Sequence, residues 1–111
     1  MLELSEREEQ GWSVLAVNGR LDSMTVEKFS ARCATWIDAS RANVVLDLSG
    51  LQYISSAGLS SILAAAKRVH ARKGRLAVAG LKGLVKEVFA ITGFETVLPT
   101  YPDVETAIKT S

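Results

Sequence analysis

The stretch "NVVLDLSGLQYISSAGLSSIL", residues 43–63, decides how the rest of the chain is read. Asn43 to Leu48 is almost continuously apolar and rich in β-branched residues, the pattern of a strand covered on both faces. From about Ala57 the spacing changes to that of a helix running to about Arg72, with Leu59, Ile62, Leu63, Ala66 and Val69 on one stripe. Ser60, Ser61, Lys67, Arg68 and Arg72 fall on the outward side. Two serines, Ser55 and Ser56, stand where strand gives way to helix.

Such a junction leaves up to four backbone amides without partners inside the helix, and the helix dipole places about half a positive charge there. A negative group is tolerated at that end. The plain structural role for Ser56 is to cap the helix through the amides of Gly58 or Leu59, worth about 1 kcal/mol. Ala57 and Gly58 suggest a second role, since they remove bulk beside the hydroxyl and leave room for another protein. Glycine inside a helix costs about 1 kcal/mol relative to alanine, a sacrifice that fits a functional position.

Upstream, Leu2 to Glu6 and Trp12 to Val17 alternate as strands, with "EREEQG" as the turn and Asn18 and Gly19 ending the second strand. Asp22 or Ser23 can cap a helix from about Met24 to Ala39, on which Val26, Phe29, Cys33, Trp36 and Ile37 form the apolar stripe. Downstream, Gly74 ends the long helix and "RLAVAG" is a further strand. Leu84, Val85 and Val88 mark a third helix that stops at Gly93, a left-handed cap. A short strand at Thr96 to Leu98, a turn bracketed by Pro99 and Pro102, and a last helix capped by Asp103 with Val104, Ala107 and Ile108 complete the chain. Strands alternating with helices give an α/β domain with parallel pairing in part of the sheet.

The chain has 111 residues, 48% of them hydrophobic, enough for one domain with one core. Thirteen basic and 12 acidic residues leave a net charge of +1, which offers no general footprint for nucleic acid. The basic group Lys67, Arg68, Arg72 and Lys73 is read as a solvated face that complements the helix dipole. One cysteine, Cys33, excludes an intrachain disulfide and most protein-only zinc sites, and its place on the apolar stripe makes it a buried structural thiol. No apolar run approaches the ~18 residues of a membrane span, and the acidic "MLELSEREEQ" lacks a signal pattern, so a cytoplasmic setting is expected. His70, the single histidine, lies about four helical turns beyond Ser56, too far to serve as its base, and no G-x-S-x-G elbow is present. "AGLKGLVKE" lacks both common phosphate-loop signatures. The residues give no support to an enzyme, a metal or a cofactor.

Taken with "VNGRLDSMTVEKF" before it and "GRLAVAGLKGLVKEVFAITGFETVLPTYPDVETAI" after it, the central run resembles the STAS domain of bacterial anti-sigma factor antagonists, over about residues 11–109. The resemblance implies a single STAS domain over 1–111, with a mixed sheet of about four to five strands flanked by about four helices. It implies a partner switch: the unphosphorylated protein binds an anti-sigma factor that is also a serine kinase, phosphorylation releases it, and a separate phosphatase restores binding. The family's acceptor, two places before the motif glycine, corresponds to Ser56, with Ser55 the fallback. Ser55 stands where many members carry an acidic residue, and Ala57 where they carry a second serine. Gly19, Leu21 and Asp22 match the family's G-x-L-D segment. The implied partner surface is Asp22, Ser23, Ser55, Ser56, Ala57, Gly58, Leu59 and Ser60; the oligomeric state, monomer or weak dimer, is left open by the sequence, and charge balance and hydropathy lead us to expect neither nucleic acid nor membrane as a partner. The alternative implied by STAS relatives is a non-switching subunit of a larger assembly, such as a lipid-transport complex or stress-signalling particle.

Overall fold

In the computed structural model, which describes residues 1–39 and 43–110, the chain begins with a hairpin. Strand β1 (Leu2–Glu9) pairs antiparallel with β2 (Trp12–Leu21), Glu9 opposite Trp12. The turn is only Gln10 and Gly11, at φ 51° and 85°, so "EREE" belongs to the strand rather than to the turn expected there. Positive φ at both central residues is what a two-residue turn between twisted strands requires. Charged side chains along the outer strand also guard an open sheet edge.

β2 runs on to Leu21, past the end expected at Asn18 and Gly19, because it has two successive parallel partners. Its first half lies parallel to β3 (Asn43–Asp47), Ser13 to Ala16 opposite Val44 to Asp47. Its second half lies parallel to β4 (Leu51–Ile54), a strand the sequence did not disclose. β5 (Arg75–Ala79) pairs parallel with β3, and β6 (Thr100–Tyr101) with β5. The order is β1-β2-β3-β5-β6, with β4 beside β2. Among the described residues the mixed sheet has six strands, where about four to five were expected.

Helices α1 (Val26–Ala39), α2 (Ser56–Ala71) and α3 (Gly83–Thr92) cover one face. There Phe29, Cys33, Trp36 and Ile37 from α1 and Leu59, Ile62, Ala66 and Val69 from α2 meet Leu15, Val17, Leu46 and Val78 of the sheet. Ser61, expected to face outward, is instead buried at 9% exposure and satisfies its hydroxyl by donating to the Gly58 carbonyl at 2.6 Å. The opposite face carries a smaller cluster of Trp12, Val14, Val45, Ala77 and Ala79 beneath α5 (Val104–Thr110). Asp103 caps α5 as expected, its Oδ1 accepting from the Thr106 amide at 2.7 Å.

The ends of the middle helices follow local backbone geometry. Lys73, at φ 63°, takes the left-handed position after α2, where Gly74 was expected to act. The amides of Lys73 and Gly74 return to the carbonyls of His70 and Val69, which closes the helix end. Gly93, at φ 79°, ends α3 as expected. The strand expected at Thr96 to Leu98 is a helical turn, α4 (Phe94–Val97), a fifth helix where four were expected. Phe94 meets Phe89 edge-on at 5.8 Å, and the Thr96 and Leu98 amides donate to Gly93 and Phe94. The strand pairing moves on to Thr100 and Tyr101, so the two prolines bracket a strand and not a turn. Arg68 and Arg72 both approach the Asp38 carboxylate at 3.7 Å, in keeping with a solvated basic face.

Candidate partner-binding site

The end of β2 and the start of α2 are tied together by the backbone. The Ser55 amide donates to the Leu21 carbonyl at 3.0 Å, which sets the turn after β2 against the turn before α2. Gly58 permits this closeness: a Cβ there would stand 2.7 Å from the Leu21 carbonyl oxygen and 2.8 Å from Ile54 Cγ1. The glycine is therefore bare for the sake of the protein's own packing, not to admit a visitor.

The two serines divide the roles that the sequence offered to one. Ser55 is the cap: its backbone is extended, at φ −98° and ψ 175°, and its Oγ accepts from the Gly58 amide at 3.3 Å. Ser56 is the first residue inside α2 and lies exposed. The expectation that Ser56 caps the helix is thus corrected; the extended residue before a helix is the one whose oxygen reaches back to the amide three places on.

Across the junction, Asp22 organises the entry to α1. Its Oδ1 accepts from the Met24 amide at 2.9 Å, and its own amide donates to Thr25 Oγ1 at 3.0 Å. Thr25 in turn donates to the Arg20 carbonyl at 2.8 Å. Arg20 Nε stands 3.5 Å from Asp22 Oδ2. Partial burial works against the Asp22 charge, but the Met24 amide, the Arg20 guanidinium and the Thr25 contact outweigh it and hold its carboxyl below the usual carboxylate range. Ser23 is exposed and Met24 wholly so, at 89%.

The profile of the STAS domain matches residues 3–107 of the chain. The chain belongs to the STAS-domain family. BtrV of Bordetella bronchiseptica, provisionally named an anti-sigma factor antagonist, is 39% identical over 89 residues, 80% of this chain and 77% of BtrV. A solved anti-sigma factor antagonist from Mycobacterium paratuberculosis superposes with a TM-score of 0.90 at 22% identity, covering 99% of this chain and 93% of its own. The Bacillus cell fate determinant SpoIIAA, in its phosphorylated form, gives a TM-score of 0.71 at 21% identity over 99% of this chain and 98% of its own. At those identities the two structures speak for the fold.

On this STAS domain Asp22, Ser23, Ser55, Ser56, Ala57 and Ser60 are at least partly open to solvent at one end of the sheet. Gly58 and Leu59 are buried, Leu59 at 6% exposure, so of the eight expected contact residues these two serve as support beneath the surface. His70 is exposed in the last turn of α2, on the same helix but at its far end. Sequence reasoning passed over two neighbours, Arg20 and Tyr53, whose guanidinium and ring lie 4.3 Å apart. They are Cα partners across β2 and β4, and the signal was lost when Asn18 and Gly19 were taken as the end of the strand.

Proposed function

We propose that this STAS domain is an anti-sigma factor antagonist that works as a partner switch, with Ser56 as its phosphoacceptor. In the unphosphorylated form it binds an anti-sigma factor that is also a serine kinase, through the face formed by Asp22, Ser23, Ser55, Ser56, Ala57 and Ser60. The kinase transfers a phosphoryl group to the Ser56 hydroxyl, the complex dissociates, and a phosphatase restores it. The setting is the reducing cytoplasm, where the lone thiol of Cys33 stays free. The protein's role is regulatory; it supplies the substrate hydroxyl and a docking face, and the chemistry belongs to its partners.

The observation that carries this reading is the division between the serines. With Ser55 engaged on the Gly58 amide, the exposed Ser56 is free to enter a foreign active site without loosening the helix. The 39% identity with BtrV supports the same class of function. A phosphoryl group adds about −1.5 to −2 charges. At the start of α2 that charge suits the helix dipole, so the fold is undisturbed. In the middle of a contact face it must be desolvated, and a penalty of about 3–4 kcal/mol lowers affinity a few hundredfold.

Incubation with ATP and the cognate kinase, followed by mapping of the phosphate by mass spectrometry, tests the assignment. Phosphate is expected on Ser56 in the wild type and in Ser55→Ala, and none in Ser56→Ala. Undiminished incorporation in Ser56→Ala would overturn the site.

A further inference from the structure

The pairing of β2 with β4 is irregular where it approaches the site. Gly19 lies opposite Leu51, yet Arg20 lies opposite Tyr53, so Gln52 is an extra residue with no partner of its own. Regular pairing would set Gln52 beside Arg20. Bulges of this kind bend a strand and re-aim side chains, and they gather next to functional sites. This one brings the Tyr53 ring to 4.3 Å from the Arg20 guanidinium. The backbone of Arg20 is fixed as well, its amide donating to the Met1 carbonyl at 2.9 Å. Gly19, at φ 107°, allows that crossing, since a Cβ there would stand 2.2 Å from the Met1 oxygen.

From this we infer that Arg20, held by Tyr53, is a positioning residue that fixes the orientation of the Asp22 carboxylate within the contact face. The inference rests on the reading of that face as the partner surface. The geometry is sequential. The bulge places the ring, the ring restricts a guanidinium that would otherwise sample many rotamers, and the guanidinium stands at Asp22 Oδ2 while the Met24 amide holds Oδ1. With both oxygens engaged, the carboxylate is presented in one direction beside Ser23 and the start of α2. The low carboxyl pKa of Asp22, to which the Arg20 charge contributes, agrees with this arrangement.

Two measurements on the full chain test the inference. In the first, the Asp22 carboxyl is followed by carbon NMR through an acid titration, without any partner. Arg20→Ala is expected to move the midpoint up toward the ordinary carboxylate range, Tyr53→Leu to move it the same way, and Arg20→Lys to fall between wild type and Arg20→Ala. An identical midpoint in wild type and Arg20→Ala would overturn the proposal. In the second, affinity for the anti-sigma kinase is measured in a double-mutant cycle. Arg20→Ala is expected to weaken binding about two- to fivefold, the scale of a partly exposed ion pair, and to change it far less in an Asp22→Asn background. Equal loss in both backgrounds would show that Arg20 does not act through Asp22 and would overturn the assignment. A wild-type chain that binds no such kinase would overturn the proposed function instead, and the titration would still decide whether Arg20 positions Asp22.

Discussion

Ser55 has an extended backbone and lies just outside α2, whereas Ser56 has entered the helix. That single change of backbone state sends one hydroxyl to an amide and the other to solvent. Both serines, the small residues after them and the acidic turn at Asp22 could be read from the sequence. Which serine caps could not, because the choice depends on where the first helical φ and ψ fall, a boundary that side-chain patterns leave open by a residue or two. The assignment has a simple thermodynamic consequence. Ser55→Ala should lower stability by about 1 kcal/mol, the worth of a lost cap, while Ser56→Ala should change it by less than about 0.5 kcal/mol. Urea denaturation of the two variants checks this, and a reversed order would mean that Ser56 is the cap.

Among the elements, those with strong periodicity were legible and those defined by their partners were not. The stripes of α1 and α2 and the apolar run of β3 are local patterns, set by burial of one face or of both. β4 buries Leu51 and Ile54, three residues apart, because the bulge at Gln52 breaks the alternation of a strand. Nothing in four residues with that spacing signals pairing. The extension of β2 was hidden for the same reason, since Arg20 and Leu21, beyond the reach of β1, are paired by β4. Gly58 was noticed, but for the wrong neighbour: its missing side chain accommodates Leu21 and Ile54, which lock α2 to the end of β2. Gly58→Ala should therefore lower stability by about 1–3 kcal/mol, the range for a group forced into a packed site. Thermal unfolding checks it, and unchanged stability with weakened partner binding would restore the idea that the glycine serves access.

For the molecule as a whole, the α/β class and the parallel pairing followed from alternating strand and helix patterns, whereas the one core expected is divided by the sheet into a main cluster and a smaller one. The counts of strands and helices did not follow, because β4, β6 and α4 are too short to carry a period. The main core also accounts for Cys33, which is 4% exposed. Burial pushes its thiol up from 9.0 to about 12, the nearby Arg68 charge opposing this and Glu6 adding to it. An acid whose folded pKa is raised stabilises the fold fully below its unfolded pKa and loses that contribution as pH climbs. Stability should thus fall by roughly 1.4 kcal/mol per pH unit above about 9, from this thiol alone, and Cys33→Ala should remove that slope. Denaturant midpoints across pH 8–10.5 for both proteins check it, and parallel curves would contradict it.

The proposed switch requires that phosphorylation of Ser56 at the start of α2 release the partner without changing the shape of the domain. Calorimetric titration of the anti-sigma kinase with the unmodified protein and with protein phosphorylated at Ser56 tests this most directly, when both forms are also melted. Affinity should drop at least a hundredfold on phosphorylation while the melting temperature moves by no more than about 2 °C. Equal affinities, or a loss of binding accompanied by a loss of fold, would contradict it.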